Sequence, residues 1–173
     1  MKPAKRAVLA ATLSWLFAGD VPVTQAAGAL PLPSGPVLLE ITGHIGHRNA
    51  DGAARFDRQM LEALGTTTLR TSTAWTAGEA EFEGVLARDL LAAVGAEGTT
   101  VTATALNDYA TAIPIEELRR YPVMLALKMN GEPLKIRDKG PVWIVYPRDQ
   151  HKELQDSLVD KRWVWQLKGL YIE

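Results

Sequence analysis

The protein has 173 residues, a formal net charge of −1 at pH 7 and no cysteine. This charge balance argues against a nucleic-acid-binding protein, which typically carries a basic patch. The lack of cysteine excludes disulfide bonds and any lipid attached through a cysteine. The hydrophobic core must therefore stabilise the fold without covalent cross-links.

Residues 1–29 have the layout of a secretory signal peptide. Basic residues begin the chain within Met1–Arg6, and Ala7–Ala18 is an uncharged apolar run that is short for a membrane-spanning helix. We predict cleavage between Ala27 and Leu30 and a periplasmic or secreted product with no transmembrane segment. An uncleaved N-terminal anchor is the alternative interpretation.

The next part of the chain predicts short elements joined by turns. Leu30–Pro36 is rich in proline and predicts an extended arm with no packing of its own. Val37–Gly43 is β-branched and apolar, as is typical of a strand. Met60–Gly65 predicts a short helix closed by its terminal glycine. Leu69–Trp75 predicts a strand that runs into a loop.

The middle of the chain predicts two helices on either side of a strand. Leu86–Val94 places its leucines and its valine on one helical face, and Gly95 then ends the helix. Thr99–Leu106 is threonine-rich and alternating, which favours a strand. Ile115–Tyr121 begins with acidic residues directly after Pro114 and predicts a second helix.

The C-terminal part of the chain is rich in predicted strands. Val123–Met129 is an almost continuous apolar run, and Asn130-Gly131 after it is a strong hairpin signal. Val142–Tyr146 predicts another buried strand, and Trp163–Leu167 alternates towards a final one. Strands dominate and βαβ order is scarce, so we predict one mixed, strand-rich α+β domain over residues 37–173.

Four segments, in order along the chain, carry a resemblance to a known family. They are Phe82–Gly95 (FEGVLARDLLAAVG), Asn107–Pro114 (NDYATAIP), Leu125–Pro147 and Arg162–Glu173. Together they resemble the molybdopterin-binding domain of the sulfite oxidase family. The resemblance covers nearly all of Val37–Glu173, and Asn130–Leu134 lies within its most specific part. It implies a mixed α+β fold, a molybdopterin cofactor and oxidoreductase chemistry.

Two positions depart from the pattern of that family. Its members ligate molybdenum through a cysteine after a Thr-Leu-x pattern, whereas Thr68–Arg70 is followed here by Thr71. A hydroxyl is a poor ligand for a metal that favours thiolate. Its members also hold the cofactor phosphate with the arginine of a Gly-x-Pro-x-Arg segment, where this chain has Trp143. An indole carries no charge, so the charge-assisted contact with the cofactor phosphate, which is worth about 1.5–3 kcal/mol, is absent.

Other positions implied by the resemblance define a ligand-binding cleft in place of the cofactor site. Tyr109, in a Tyr-x-x-x-Ile-Pro pattern, matches the tyrosine of the family's substrate pocket. Trp75 and Trp143 match positions at the mouth of the cleft. Asp108, which precedes Tyr109, has two interpretations: it is an acid–base partner of Tyr109, or it belongs to a simple Asn-Asp turn. We expect no catalytic residue. The predicted ligand-binding residues are Arg70, Thr71, Trp75, Asp108, Tyr109 and Trp143.

Two further constellations are interpreted as structural. His44 and His47 have the spacing of a metal pair on a helix, but their segment is broken by glycine and predicts a loop or strand end. We therefore predict no metal site there. Lys135, Arg137 and Lys139 alternate as on one face of a strand. This pattern favours a solvated face, with an anion or protein contact as the alternative.

The signal segment bears on the cofactor as well. Family members that carry the cofactor are exported folded through a twin-arginine signal, whereas this chain has Lys5-Arg6. We expect export before folding and hence no cofactor. The predicted function is an exported, cofactor-free and non-catalytic module that binds a small molecule or a membrane-bound signalling protein, and no nucleic acid. The alternative is an oxidoreductase that holds a molybdopterin-type cofactor without a cysteine ligand.

Overall fold

The computed structural model describes residues 30–173, in which ten strands form one mixed sheet and one antiparallel sheet, with few helices. The predicted signal peptide lies outside the described residues. The strands are β1 (Leu39–Gly43), β2 (Ala54–Phe56), β3 (Thr66–Ser72), β4 (Glu79–Leu86), β5 (Thr100–Ala105), β6 (Ala110–Pro114), β7 (Met124–Met129), β8 (Glu132–Pro133), β9 (Trp143–Val145) and β10 (Leu167–Ile172). The helices are α1 (Arg58–Glu62), α2 (Ala87–Ala93), α3 (Ile115–Arg120) and α4 (Ser157–Asp160).

The first sheet has the strand order β2-β1-β10-β5-β6. Strands β1 and β10 pair in parallel, and the other neighbours are antiparallel. In β5 the predicted alternation is present, because Val101, Ala103 and Ala105 are buried while the threonines between them are half-exposed. Since successive side chains of a strand face opposite ways, one face of this sheet packs on the core.

The second sheet has the order β3-β4-β7-β8, and β9 also pairs with β7. The hairpin prediction is confirmed, since Asn130 and Gly131 join β7 to β8 with φ angles of 51° and 81°. Positive φ at both positions matches the twist of a two-residue hairpin. Strands β4 and β7 approach closely at Gly84, where an added Cβ would stand 2.1 Å from the Leu125 carbonyl oxygen.

The proline-rich arm before β1 is attached to the domain through α1. The Asp57 carboxylate caps α1 by accepting the Met60 N–H, and it also accepts the backbone N–H groups of Ser34 and Gly35. Leu30 packs against the core. The expectation of an arm without packing was wrong, because one buried carboxylate serves both the helix N-terminus and the arm.

Several other sequence predictions need correction. Strands β2, β4 and β6 were missed, and Trp163–Gln166 is an irregular segment that precedes the last strand. Gln166 adopts a φ of 52°, which breaks an extended run. Lys135–Lys139 belongs to the connection between β8 and β9, which contains a turn, so its basic residues do not share a strand face.

The core lies between the sheets and the helices. Its largest fully buried side chains include Trp143, Tyr146, Phe56 and Phe82. Within residues 30–173, no helix combines the length and the apolar character needed to cross a membrane. The mixed, strand-rich architecture agrees with the predicted fold class.

Candidate functional site

The C-terminal end of β3 separates two of the predicted site residues. Successive side chains of a strand alternate, so Leu69 and Thr71 point inwards while Arg70 points to solvent. Arg70 faces Glu81 on β4, and the guanidinium and carboxylate approach to 3.9 Å. Arg70 therefore belongs to an exposed cross-strand pair.

Thr71 is fully buried, and its hydroxyl is already hydrogen-bonded. Its oxygen accepts the backbone N–H of Asp149 at 3.2 Å, and its hydroxyl lies 3.3 Å from the Ser72 carbonyl oxygen to which it donates. The Asp149 carboxylate in turn accepts the Ser72 N–H and, at 2.6 Å, the Ser72 hydroxyl. We call Thr71, Ser72 and Asp149 the β3 junction. It joins two segments that lie 78 residues apart in sequence.

The hydrogen bonds of the β3 junction also affect its acidic group. The Ser72 hydroxyl, followed by the Ser72 backbone N–H, lowers the pKa of Asp149 from its ordinary value of 3.8, against the opposing effect of desolvation. The nearby charge of Arg148 acts in the same direction. The carboxylate is therefore ionised at neutral pH and holds the end of β3 against the loop after β9.

Four tryptophans pack together just beyond this junction. The ring centroid of Trp75 lies 6.5 Å from that of Trp143, 5.9 Å from that of Trp163 and 5.4 Å from that of Trp165. These separations and the steep angles between the rings, 57–82°, are typical of favourable edge-to-face packing. We call these four residues the tryptophan cluster.

Members of the tryptophan cluster differ in exposure. Trp143 is 0% exposed and also packs edge-on against Phe82, whereas Trp75 is 37% exposed. The Trp143 and Trp163 indole N–H groups are buried and have no acceptor among residues 30–173. The Lys139 ammonium lies 5.4 Å and 5.8 Å from the ring centroids of Trp143 and Trp165. Trp143 is thus the base of the cluster, and Trp75 is its accessible edge.

A cleft of about 330 Å³ opens beside the cluster. Most of its surface is apolar, and it contains several hydrogen-bonding side chains. Tyr109, 45% exposed, spans one wall because its hydroxyl donates to the Lys161 carbonyl oxygen at 2.8 Å. We call this concavity the tryptophan cleft. It is lined by Trp75, Ala105, Asn107, Tyr109, Asp160, Lys161, Trp163, Val164 and Trp165.

Comparison with known proteins identifies the fold. The family model of the oxidoreductase molybdopterin binding domain matches residues 55–150, which is more than half of the chain. The chain belongs to this family. This confirms the resemblance drawn from the sequence. No curated protein matches the chain.

A solved structure supports the same architecture. The sulfane dehydrogenase SoxCD from Paracoccus pantotrophus superposes with a TM-score of 0.56 and 23% sequence identity. The superposition covers 78% of this chain and 37% of that one, so this chain spans little more than a third of its structural relative. At this identity the similarity establishes the fold alone, and it confirms the predicted fold class.

The tertiary structure brings part of the predicted site together. Trp75 and Tyr109 line the tryptophan cleft, and Trp143 supports Trp75 from below without lining it. Thr71 lies in the β3 junction, four residues before Trp75, with its hydroxyl turned into buried contacts. Arg70 faces the opposite side of its strand.

Asp108 belongs to the turn beside the cleft and does not line it. Its φ angle of 66° is a turn conformation, and its carboxylate pairs with Lys168 at 2.6 Å. The hydrogen bond to Lys168 lowers the pKa of Asp108. Of the two interpretations of the Asn-Asp pair, the geometry favours the turn. Asn107, which was not among the predicted ligand-binding residues, lines the cleft instead.

Sequence reasoning also missed the C-terminal wall of the cleft. The sequence pattern assigns Trp163 and Trp165 to the alternating run that leads into the final strand, and it does not mark Lys161. The spacing Trp-Val-Trp beside Lys161 is the one signal in the sequence that marks this segment. It was obscured because the same alternation predicts a strand.

The two histidines of the candidate metal pair lie in different environments. The His47 Nδ1 lies 2.9 Å from the Ala93 carbonyl oxygen, which places the ring against the end of α2. His44 lies on the loop after β1 and is exposed. Within residues 30–173, no group of three or more histidine, cysteine or acidic side chains has the arrangement of a metal site.

Proposed function

We propose that this domain is an exported, cofactor-free and non-catalytic member of the oxidoreductase molybdopterin binding domain family, and that it acts as a small-molecule-binding module. The observation that carries the proposal is the β3 junction. At the position where the resemblance implies a metal-ligating thiolate, the chain has a fully buried threonine hydroxyl that hydrogen-bonds Asp149.

The residues at the two anchoring positions do not fit molybdopterin. The Thr71 hydroxyl is a poor ligand for a thiolate-seeking metal and is committed to two protein contacts. Trp143, at the position implied for a phosphate-binding arginine, is fully buried and offers no charge. Three residues before Trp143, the space beside Gly140 is filled by the Leu134 backbone, whose carbonyl oxygen would stand 2.3 Å from an added Cβ.

The tryptophan cleft supports a binding role. Small-molecule sites in proteins are concave, mostly apolar and furnished with a few polar groups, in a volume of about 300–1,000 Å³. The tryptophan cleft, about 330 Å³, has this character. A site of this kind needs no catalytic residue, and we assign none.

Metal content tests the proposal directly. The full chain is expressed with its N-terminal segment in a bacterium that makes molybdopterin, recovered from the exported fraction, and analysed for molybdenum by mass spectrometry and for pterin by fluorescence. N-terminal sequencing of the same material tests cleavage between Ala27 and Leu30. A family member that contains the cysteine, expressed in the same host, is the positive control.

The expected result is exported, processed protein without molybdenum or pterin beside a loaded control. Stoichiometric molybdenum with pterin fluorescence would overturn the proposal. It would favour instead an oxidoreductase that holds the cofactor without a cysteine ligand, the alternative that the family membership itself supports. Unprocessed chain confined to the cytoplasm would contradict the export part of the proposal.

A further inference from the structure

We infer that the tryptophan cleft binds a small planar aromatic molecule that carries an anionic group such as a carboxylate. This rests on the proposed binding function and specifies its ligand class. Three features of the cleft carry the inference: the orientation of its aromatic walls, the balance of its charges and the fixed position of one wall.

The aromatic walls suit a flat ring. Trp75 meets Trp165 at 82° and Trp163 at 57°, so it forms a corner with each of these rings instead of stacking on them. Trp75 remains 37% exposed and Tyr109 45% exposed, so aromatic surface is accessible at this corner. A planar ring placed there gains stacked and edge-to-face contacts at once, which an aliphatic chain of similar size does not.

The charges around the cleft favour an anion. Lys161 lines the cleft, and the Lys139 ammonium lies 5.8 Å from the ring centroid of Trp165, another lining residue. Neither lysine has an acidic partner among residues 30–173. The carboxylate in the lining, Asp160, is neutralised by Arg148 at 2.7 Å.

The same charge balance disfavours cationic ligands. Aromatic corners also bind quaternary ammonium groups through cation–π contacts. Here an incoming cation would meet Lys161 without an unpaired carboxylate to offset it, because Asp160 is already bonded to Arg148. A carboxylate-bearing aromatic satisfies both the rings and the lysine.

One wall of the cleft is fixed in place before any ligand binds. The Tyr109 hydroxyl donates to the Lys161 carbonyl oxygen, which ties the turn after β5 to the segment after α4. The Arg148–Asp160 ion pair holds the start of that segment. A preformed site loses less conformational entropy on binding, so the few contacts that a small ligand makes are enough to give a favourable binding free energy.

The inference is tested by calorimetric titration of the full chain with three probes. 2-Naphthoate has the aromatic ring and the negative charge, 2-naphthylmethylammonium has the ring and a positive charge, and cyclohexanecarboxylate has the negative charge without the ring. We expect 2-naphthoate to bind at least about fivefold more tightly than either of the others, from one screened charge contact or from ring packing.

Two variants assign the effect to the cleft. Lys161→Gln is expected to weaken 2-naphthoate about fivefold and to leave the ammonium probe unchanged or tighter. Lys152→Gln, at an exposed lysine outside the cleft lining, is the matched control and is expected to change neither. Trp75→Leu is expected to weaken both aromatic probes about tenfold. Near-ultraviolet circular dichroism establishes that each variant is folded.

The outcomes separate this inference from the proposed function. Molybdenum-free protein that binds the ammonium probe as tightly as 2-naphthoate, or that binds none of the three probes, would overturn the ligand class while leaving the cofactor-free assignment standing. Equal binding of 2-naphthoate by wild type and Lys161→Gln would also overturn it. Molybdenum in the exported protein would instead refute the proposed function, whatever the probes do.

Discussion

Thr71 of the β3 junction and Trp75 of the tryptophan cleft are four residues apart in the chain, but the two regions differ in almost every physical respect. Thr71 is buried, polar and fully hydrogen-bonded, whereas Trp75, four residues later, is aromatic and partly exposed. One region joins distant segments, and the other presents unused surface beside a concavity. The comparison teaches that family membership does not tell which part of a shared fold is available to a ligand, because a few side chains decide accessibility.

The largest expected effect tests whether Trp143 is structural. Trp143→Arg restores the residue type that the resemblance implies, but it places a charge where the side chain is 0% exposed. We expect the free energy of unfolding to fall by about 3–5 kcal/mol, measured by chemical denaturation, because a buried charge without a partner is costly. Trp75→Arg, the same change at the exposed edge of the cluster, is the control and should cost about 1 kcal/mol. Equal losses would contradict the distinction between base and edge.

The next prediction concerns the Thr71 hydroxyl. Thr71→Val keeps the shape of the side chain and removes the acceptor of the Asp149 N–H. We expect a loss of about 1–2 kcal/mol in the free energy of unfolding, as for a hydrogen bond removed from a buried position. Thr68→Val, on the same strand but exposed, should change stability by less than about 0.5 kcal/mol. A neutral Thr71→Val would mean that the junction is not held by this hydroxyl.

A third prediction uses the acidity of Asp149. Because the folded state lowers the pKa of this carboxyl, the stability it contributes is present above the ordinary value of 3.8 and is lost as the pH falls through the lower folded value. Asp149→Asn should cost about 1 kcal/mol at pH 7. The difference from wild type should narrow below pH 3.8. Asp51→Asn, at an exposed turn, is the control, and a gap that stays constant on acidification would contradict the prediction.

The smallest expected effect concerns the wall of the tryptophan cleft. Tyr109→Phe removes the hydroxyl that donates to the Lys161 carbonyl oxygen. We expect a loss of about 0.5 kcal/mol in the free energy of unfolding, because the bond is exposed. Tyr171→Phe, another exposed tyrosine, should have no measurable effect. If thermal unfolding shows the two variants to be indistinguishable, the Tyr109 bond does not fix the wall.

Local patterns predicted much of the fold correctly. The helix over Leu86–Val94, the strand over Thr99–Leu106 and the Asn130-Gly131 hairpin correspond to observed elements within one or two residues. Each depends on periodicity or turn chemistry within a few residues. Strands β4 and β6 were missed because alanine, glutamate and glycine dilute their composition, and pairing with neighbouring strands decides their conformation.

The sequence by itself determined the family, the fold class and the absence of a cysteine from the position that the family uses for its metal. Those properties reside in local patterns and in residue identity. Only the tertiary structure decided that the Thr71 hydroxyl is hydrogen-bonded to Asp149 and that Asp108 pairs with Lys168 while Asn107 lines the cleft. It also decided that Trp163, Val164 and Trp165 form a wall of the cleft in place of a strand. These outcomes depend on contacts between residues far apart in the chain, whose geometry emerges only when both sheets are packed.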